Sequence, residues 1–209
     1  MSASSAEVAA PFSPLERPFF DRPTEVVARD LLGVWVLRST PEGLSGGPIV
    51  ETEAYGGPED LASHARAGLT RRTTPMFGEV GHAYVYLVYG MHYCLNVVAY
   101  RGAAAGTVLI RAIAPDLGAE GIRKRRGRPT DPTHRLCSGP AMVCQGLAVD
   151  RYFNGHDLTV GEELWLARPA DWPAPEIASG TRIGVDYAGE WADKPWRFWL
   201  AGHQSVSRR

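Results

Sequence analysis

The residues that tell most about the fold are Pro48-Ile49-Val50-Glu51-Thr52-Glu53-Ala54-Tyr55. Most of them favour β-structure, and the charged ones recur at an interval of two, which predicts a strand with one polar face. Glu51, Glu53 and Tyr55 share that face, and the residues between them share the other. Because burying two carboxylates is costly, we interpret this face as the wall of a polar pocket. A sheet face in contact with water is the alternative.

The rest of the chain predicts more strands than helices. Further strands are expected at 34–37, 83–89, 93–100, 107–113, 163–167, 182–185 and 197–200. Helical turns are expected at 24–32, 59–67, 116–126 and 142–147, with Thr24 capping the first and Ser138 the last. Because strands and helices do not alternate strictly, we predict an α+β fold, a single compact domain with a curved, mainly antiparallel β-sheet and flanking short helices.

The length of 209 residues suits one domain with a single core. Residues 1–14 are rich in Ala and Ser, so we expect a flexible N-terminal tail, followed by one domain over 15–209. The longest apolar stretches, at 83–89 and 108–110, are far shorter than the ~20 residues that span a bilayer. A membrane is therefore not an expected partner.

Three cysteines, Cys94, Cys137 and Cys144, form no CxxC pair. Their odd number and spacing fit neither a disulfide framework nor a zinc site, and the chain has no phosphate-binding glycine loop. We therefore expect a reduced, cytoplasmic protein whose cysteines lie in the core. Neither a metal nor an organic cofactor is expected.

Arginine dominates the positive charge, because only two of the 22 basic residues are lysines. The net charge is −1, which argues against indiscriminate coating of nucleic acid. Two basic segments stand out, one with Arg71 and Arg72 and one with Arg123 and Arg125. Arginine suits forked contacts with phosphate oxygens. A solvated surface is the alternative, and charge alone does not decide between them.

Four tyrosines lie within ten residues, and two of them, Tyr84 and Tyr86, share one face of a predicted strand. Tyr89, Gly90 and Met91 fall at the predicted hairpin tip, where a core cannot easily cover bulky groups. Such a tip is suited to insertion into a base stack. Aromatic side chains that simply fill a β core are the alternative.

Several segments together resemble one known family, in order and nearly in spacing, from about residue 17 to residue 200. They are 49–55 (IVETEAY), 57–60 (GPED), His64, 76–77 (MF), 84–91 (YVYLVYGM), 108–112 (VLIRA), 137–140 (CSGP) and 189–192 (GEWA). With these motifs the sequence resembles the alkyladenine (3-methyladenine) DNA glycosylase family. The loop at 69–75 departs from the family pattern, because it lacks an Arg-Asn pair before Met76.

The resemblance implies a base-excision-repair enzyme that flips an alkylated or deaminated purine out of double-stranded DNA and hydrolyses its N-glycosidic bond. Expected lesions are 3-methyladenine, 7-methylguanine and hypoxanthine, and the product is an abasic site. The resemblance further implies that Glu53 activates the water and that Arg111 holds this carboxylate and the water. Tyr89 would fill the gap left in the duplex, with Met91 nearby.

The resemblance also implies how the flipped base is held. Tyr55 and His64 on one side and Tyr86 on the other would sandwich the base, and Asn96 would stand where the exocyclic amino group of normal guanine is rejected. The implied partner is damaged duplex DNA, bound by a monomer in the cytoplasm, at the nucleoid.

Strand cleavage by the same enzyme would need an amine nucleophile, and only Lys124, Lys194 and the N-terminus offer one. We therefore expect a monofunctional enzyme without lyase activity. Two alternatives remain open. One is a lesion-binding module that performs no chemistry, and the other is a glycoside hydrolase that uses Glu51 and Glu53 on free sugars.

Overall fold

The computed structural model describes residues 12–100, 105–169 and 176–207. The strands in these ranges are β1 (Phe12–Pro14), β2 (Trp35–Thr40), β3 (Gly43–Tyr55), β4 (Ala83–Val88), β5 (His92–Val98), β6 (Thr107–Ile113), β7 (Leu164–Pro169), β8 (Ile177–Gly180) and β9 (Arg197–Leu200). The α-helices are α1 (Thr24–Asp30), α2 (Ala119–Arg126) and α3 (Pro140–Gly146). Short 3-10 helices lie at Arg17–Phe19, His64–Ala67, Thr74–Phe77, Thr133–Arg135, Arg151–Phe153 and Asp186–Trp191.

The strands form one antiparallel sheet in the order β1-β7-β2-β3-β6-β5-β4, and β9 pairs with both β3 and β8. The long strand β3 changes partners along its length. Its first part pairs with β2, and its second part pairs with β6 and β9. Register shifts on both sides of Glu51 interrupt the pairing with β6, and such bulges bend a strand and increase its twist. The predicted α+β fold with a curved antiparallel sheet is confirmed.

The main hydrophobic core lies where α1 and α3 pack on the sheet. Val50 and Ala54 of β3 are fully buried in it, as is Ala28 of α1. Thr52, on the same face of β3, donates a hydrogen bond from Oγ1 to the carbonyl oxygen of Ala28 at 2.8 Å, which satisfies the buried hydroxyl. The apolar face of β3 is therefore fixed against α1, and the face with the two glutamates points to the opposite side.

Both predicted helix caps are wrong, because each hydroxyl has a different partner. Thr24 lies inside the first turn of α1, where its Oγ1 donates to the carbonyl oxygen of Ala99 at 3.1 Å, and Pro23 precedes the helix. Ser138 donates to the carbonyl oxygen of Arg135, and Gly139 precedes α3. The helical turns predicted over 59–67 are reduced to His64–Ala67.

Two other predictions need correction. The predicted tail reaches Pro14, yet Phe12–Pro14 pair with β7, and residues 1–11 lie outside the described residues. The predicted strand at 182–185 is irregular backbone, in which Gly184 has a φ of +76° and the Ile183 N–H binds the Glu53 side chain instead of a neighbouring strand. By contrast, all three cysteines are buried, as predicted.

Two observations limit the classes of site that the described ranges contain. Within residues 12–100, 105–169 and 176–207, no helix is long and apolar enough to cross a membrane. Over the same ranges, no group of three or more His, Cys, Asp and Glu side chains is arranged to hold a metal ion.

Gly47 provides a test of the β3 geometry. A Cβ atom added at Gly47 would lie 1.8 Å from the carbonyl oxygen of Ala114, a backbone atom that cannot move aside freely. Gly47→Ala should therefore lower the free energy of unfolding by about 1–3 kcal/mol or more, measured by urea denaturation. Gly139→Ala is the matched control, since its nearest neighbour would be a flexible Met142 atom at 3.9 Å. Equal stability of the two variants would contradict the close approach.

Candidate active site

A cavity of about 440 Å³ opens beside the C-terminal part of β3. Its floor is built from alternate residues of three neighbouring strands, because alternate side chains of a strand point to the same face. Those floor residues are Tyr84, Tyr86 and Val88 of β4, His92, Cys94 and Asn96 of β5, and Thr107, Leu109 and Arg111 of β6. The end of β3, several loops and 3-10 helices, and α3 complete the wall. Their lining residues are Tyr55, Ala62, His64, Arg72, Met76, Tyr89, Pro140, Ala141, Ile183, Gly184, Val185 and Tyr187.

Glu53 lies directly behind this wall and is fully buried. Its Oε2 accepts hydrogen bonds from the Tyr55 hydroxyl at 2.8 Å and from Arg111 Nη1 at 3.2 Å. Its Oε1 accepts one from the Ile183 backbone N–H at 2.7 Å. All three donors line the cavity. A carboxylate has about four lone-pair positions, so one acceptor position on Oε1 is left for a further donor such as water.

Arg111 joins the two glutamates of β3. Its Nη1 binds Glu53, and its Nε donates to Oε1 of Glu51 at 3.1 Å. Glu51 is also fully buried and accepts further hydrogen bonds from Arg197 at 3.2 Å and from the Ser207 N–H at 2.7 Å. The polar face predicted from the sequence is thus a buried ionic cluster. Glu51 is occupied by three donors within this cluster, so it does not serve as the second carboxylate that the glycoside hydrolase alternative needs.

The pKa of Glu53 is raised above the ordinary value of 4.5, and burial is the largest cause. The charge of Arg111, the Ile183 N–H and the Tyr55 hydroxyl act in the opposite direction. Burial likewise raises the pKa of Tyr55 well above 10.0, and the neighbouring Glu53 charge adds to it, so the phenol stays protonated and donates to the carboxylate. A carboxylate with a raised pKa is a stronger base.

The aromatic residues do not form the expected sandwich. The ring centroids of His64 and Tyr86 are only 4.6 Å apart and meet edge to face at 81°. Two rings that enclose a flat base must lie about 7 Å apart, because each of the two stacking contacts takes about 3.5 Å. His64 and Tyr86 therefore belong to the same wall, with Tyr84 behind them at 5.4 Å from Tyr86. Tyr55 contributes to the cavity from a different strand, β3.

His64 is held by hydrogen bonds at both ring nitrogens. Its Nδ1 lies 3.0 Å from the Tyr84 hydroxyl, and its Nε2 lies 3.4 Å from Arg72 Nη2. Because a guanidinium only donates, Nε2 must accept and Nδ1 carries the proton. Burial and the Arg72 charge lower the pKa of His64 from 6.5 to about 4. At neutral pH the histidine therefore adds no positive charge to the cavity.

Asn96 is buried in the cavity floor. Its Nδ2 donates to the carbonyl oxygen of Tyr84 at 3.0 Å, which fixes the orientation of the amide. The rigid backbone of the β4–β5 pair thus holds this side chain at one position in the cavity.

The β4–β5 hairpin tip presents two apolar side chains to solvent, as the sequence predicts. Tyr89 is 88% exposed and Met91 is 68% exposed. Tyr89 has a φ of +52°, a strained conformation for a residue other than glycine, and Gly90 follows with +69°. Tyr89 also lines the mouth of the cavity.

The four predicted phosphate-contacting arginines separate into two groups. Arg71 and Arg72 are exposed, and Arg72 lines the cavity with its guanidinium carbon 5.3 Å from the Tyr86 ring centroid. Arg123 and Arg125 do not fit the prediction, because their side chains are largely buried and bind the protein itself. Arg123 binds Thr133, and Arg125 binds Gly146 and Ser45.

The segment 183–187 completes the cavity wall and runs into the 3-10 helix Asp186–Trp191, but it was not predicted as part of the site. Ile183 acts there through its backbone N–H, which no side-chain pattern reveals. Tyr187, 68% exposed at the cavity mouth, is an isolated tyrosine in the sequence and gave no signal. Leu109 could have been found, because it shares the alternation of Arg111 in a recognised strand.

Several known proteins are similar to this chain over most of its length. A family model for methylpurine-DNA glycosylase matches residues 18–204. A protein from Methanocella arvoryzae, provisionally named a 3-methyladenine DNA glycosylase, is 46% identical over 93% of this chain and 96% of its own length. A protein from Carboxydothermus hydrogenoformans with the same provisional name is 45% identical over 93% and 99%. The human DNA-3-methyladenine glycosylase is 42% identical over 90% of this chain and 66% of its own length. These matches confirm the resemblance found in the sequence motifs.

The His64 environment can be checked by NMR titration of its ring Cε1–H. We expect a midpoint near 4, and Arg72→Gln should raise this midpoint because it removes a nearby positive charge. Arg71→Gln, a change to the neighbouring arginine, should leave the midpoint in place. A midpoint near 6.5 in the unaltered protein would contradict the hydrogen-bonded, half-buried histidine.

Proposed function

The chain belongs to the methylpurine-DNA glycosylase family, and we propose that it excises alkylated and deaminated purines from double-stranded DNA by a water that Glu53 activates. The observation that carries the proposal is the fully buried Glu53 carboxylate, which lies behind an aromatic cavity and retains one acceptor position on Oε1. The acceptor position left on Oε1 next to the cavity favours water activation over a pure binding module.

In the proposed reaction the water oxygen attacks C1′ of the flipped nucleotide while Glu53 takes one of its protons. The bond between C1′ and the purine nitrogen breaks, and its electron pair leaves with the base. The sugar becomes cation-like on the way, and the nearby carboxylate stabilises that charge. A purine methylated at N3 or N7 already carries the positive charge that the leaving electron pair neutralises, whereas hypoxanthine must first be protonated.

We place the flipped base between Tyr55 and the wall of His64 and Tyr86. Aromatic faces attract a cationic ring, with about 1–2 kcal/mol when water is excluded. The neutral His64 avoids repulsion of such a base. Asn96, held by Tyr84, would meet the exocyclic amino group of a normal guanine and so disfavour it.

The proposed reaction stops at the abasic site, because within the described residues no lysine lines the cavity where a Schiff base would form. Lys124 is exposed on α2, and Lys194 packs against Trp191 with its Nζ 4.1 Å from the ring centroid. Neither lysine lines the cavity. The proposed enzyme is thus monofunctional.

For the DNA interface we propose that a monomer uses the surface around the cavity mouth. Tyr89 would occupy the gap left by the flipped nucleotide, with Met91 beside it, and Arg71 and Arg72 would approach phosphates. These residues are exposed and close to the cavity, whereas the arginines of α2 are occupied within the protein. We also expect the protein in the cytoplasm, where its DNA substrate lies.

Glu53→Gln tests the proposed chemistry. A single-turnover assay on a duplex with one 7-methylguanine, followed by alkali to cut abasic sites, should show product with the parent and a loss of at least about 10²-fold with the variant. The N7 methyl group gives this base its positive charge without added protonation, so protonation of the leaving base does not produce the acid limb of the pH dependence. The parent rate should fall as pH decreases through the pKa of Glu53, above 4.5, because the base must be ionised. Excision by Glu53→Gln at the parent rate would reject Glu53 as the base, and breaks without alkali would reject monofunctional hydrolysis.

Tyr89→Ala tests the hairpin tip. Loss of an aromatic ring that stacks in the duplex should weaken binding to lesion-containing DNA by roughly 10-fold or more, measured by fluorescence anisotropy in the Glu53→Gln background. Tyr152→Ala is the matched control, because Tyr152 is also mostly exposed, at 70%, but does not line the cavity. Equal binding by the two variants would remove Tyr89 from the interface.

A further inference from the structure

A buried ion pair that the proposed reaction does not use lies next to the cavity. Both nitrogens at the end of the Arg182 side chain donate to Asp60, Nη1 to Oδ2 at 2.6 Å and Nη2 to Oδ1 at 3.0 Å. Both side chains are fully buried. The two residues are 122 positions apart in sequence, so the pair joins the segment after β3 to the loop that precedes the 3-10 helix Asp186–Trp191.

Asp60 organises the backbone just after the Tyr55 strand end. Its Oδ2 accepts the Gly56 N–H at 2.9 Å, and its Oδ1 accepts the Ala62 N–H at 3.0 Å. Arg182 adds hydrogen bonds to the carbonyl oxygens of Ala54 at 2.9 Å and Trp191 at 2.8 Å. The pair therefore fixes the end of β3 and the opposite loop to each other.

Arg182 also supports the ring of Tyr55. Its guanidinium carbon lies 4.9 Å from the centroid of that ring and 5.2 Å from the centroid of Trp196. Tyr55 lines the cavity, whereas Arg182 does not. The guanidinium thus covers one face of the ring from behind. A planar guanidinium stacks on an aromatic face in a way that a lysine ammonium does not.

The next residue connects this pair to Glu53. Ile183 donates its backbone N–H to Glu53 Oε1, the same oxygen that keeps an acceptor position for water. Since the peptide between Arg182 and Ile183 is planar and rigid, the anchoring of Arg182 restricts where this N–H can point. The ion pair is therefore adjacent both to the base-stacking ring and to the catalytic carboxylate.

We infer that Asp60 and Arg182 are positioning residues of the proposed glycosylase reaction, which hold the Tyr55 ring and the Ile183 N–H in place for base stacking and for water activation by Glu53. This inference rests on the proposed function. A misplacement of about 1 Å in an active site can cost about 10²-fold in rate, so the pair acts on the chemical step through Tyr55 and Ile183 without touching the substrate.

Arg182→Lys is the main test. It keeps the positive charge but loses the paired contact with Asp60 and the planar stack on Tyr55. We expect the single-turnover rate on a 7-methylguanine duplex to fall by about 10–10²-fold, with less than a threefold change in the dissociation constant for undamaged duplex, because Arg182 does not reach the surface. Asp60→Asn, which preserves the size of the side chain, should lower the rate in the same direction and provides the test if Arg182→Lys does not fold.

The acid limb of the pH–rate profile distinguishes a positioning role of Arg182 from a role in protein stability alone. The groups that influence Glu53 are Arg111, the Ile183 N–H, the Tyr55 hydroxyl and Glu51, with Tyr86 and Cys94 also on the cavity floor. The Ile183 N–H lowers the pKa of Glu53. Displacing it should therefore shift the acid limb of the Arg182→Lys profile to higher pH.

Arg17→Lys is the control for an ion pair that lies away from the cavity. Arg17 also forms an ion pair, with Asp157 at 2.5 Å, but it belongs to a 3-10 helix outside the cavity. We expect lower thermal stability without a shift of the acid limb. An Arg182→Lys protein with the parent rate and the parent acid limb would overturn the inference. A parent protein without excision activity, or a Glu53→Gln variant that excises at the parent rate, would instead overturn the proposed function.

Discussion

Arg111 holds two carboxylates in the interior of the protein, and the remaining site depends on that interaction. Glu51 and Glu53 are both fully buried on one face of β3, an arrangement that would cost several kcal/mol per ion without a partner. The guanidinium reaches both, so β6 must lie beside β3 in the register that brings Arg111 there. Charge pairing and strand pairing thus require each other at this position.

The cluster gives the two glutamates different tasks. Glu51 is surrounded by Arg111, Arg197 and the Ser207 N–H, and it anchors the guanidinium. Glu53 shares that guanidinium but lies next to the cavity, where its donors also form the wall. Burial raises the pKa of Glu53, and those donors act in the opposite direction. The same surroundings therefore make the carboxylate more basic and also stabilise its ionised form. The aromatic residues on β4 and the loop at His64 then shape the space in front of it.

The sequence could predict much of this site where the chemistry follows strand alternation. The shared face of Glu51, Glu53 and Tyr55 was readable directly, and the family motifs added Arg111. What it could not predict depends on contacts between distant segments. The Asp60–Arg182 pair spans 122 positions, and Ile183 acts through its backbone, so neither leaves a local pattern. Short motifs can indicate which residues line a cavity, but they do not show which residues lie on the same side of it. For this reason the predicted placement of His64 opposite Tyr86 was wrong.

The proposed role of Glu53 is tested by a crystal structure of the protein bound to a duplex that carries a damaged nucleotide with a non-hydrolysable glycosidic bond. We expect an ordered water about 2.6–3.2 Å from Glu53 Oε1 and facing C1′ of the flipped nucleotide. We also expect the base between Tyr55 and the wall of His64 and Tyr86. A flipped nucleotide with no water on Glu53, or with its water held by a different side chain, would contradict the central role of this carboxylate.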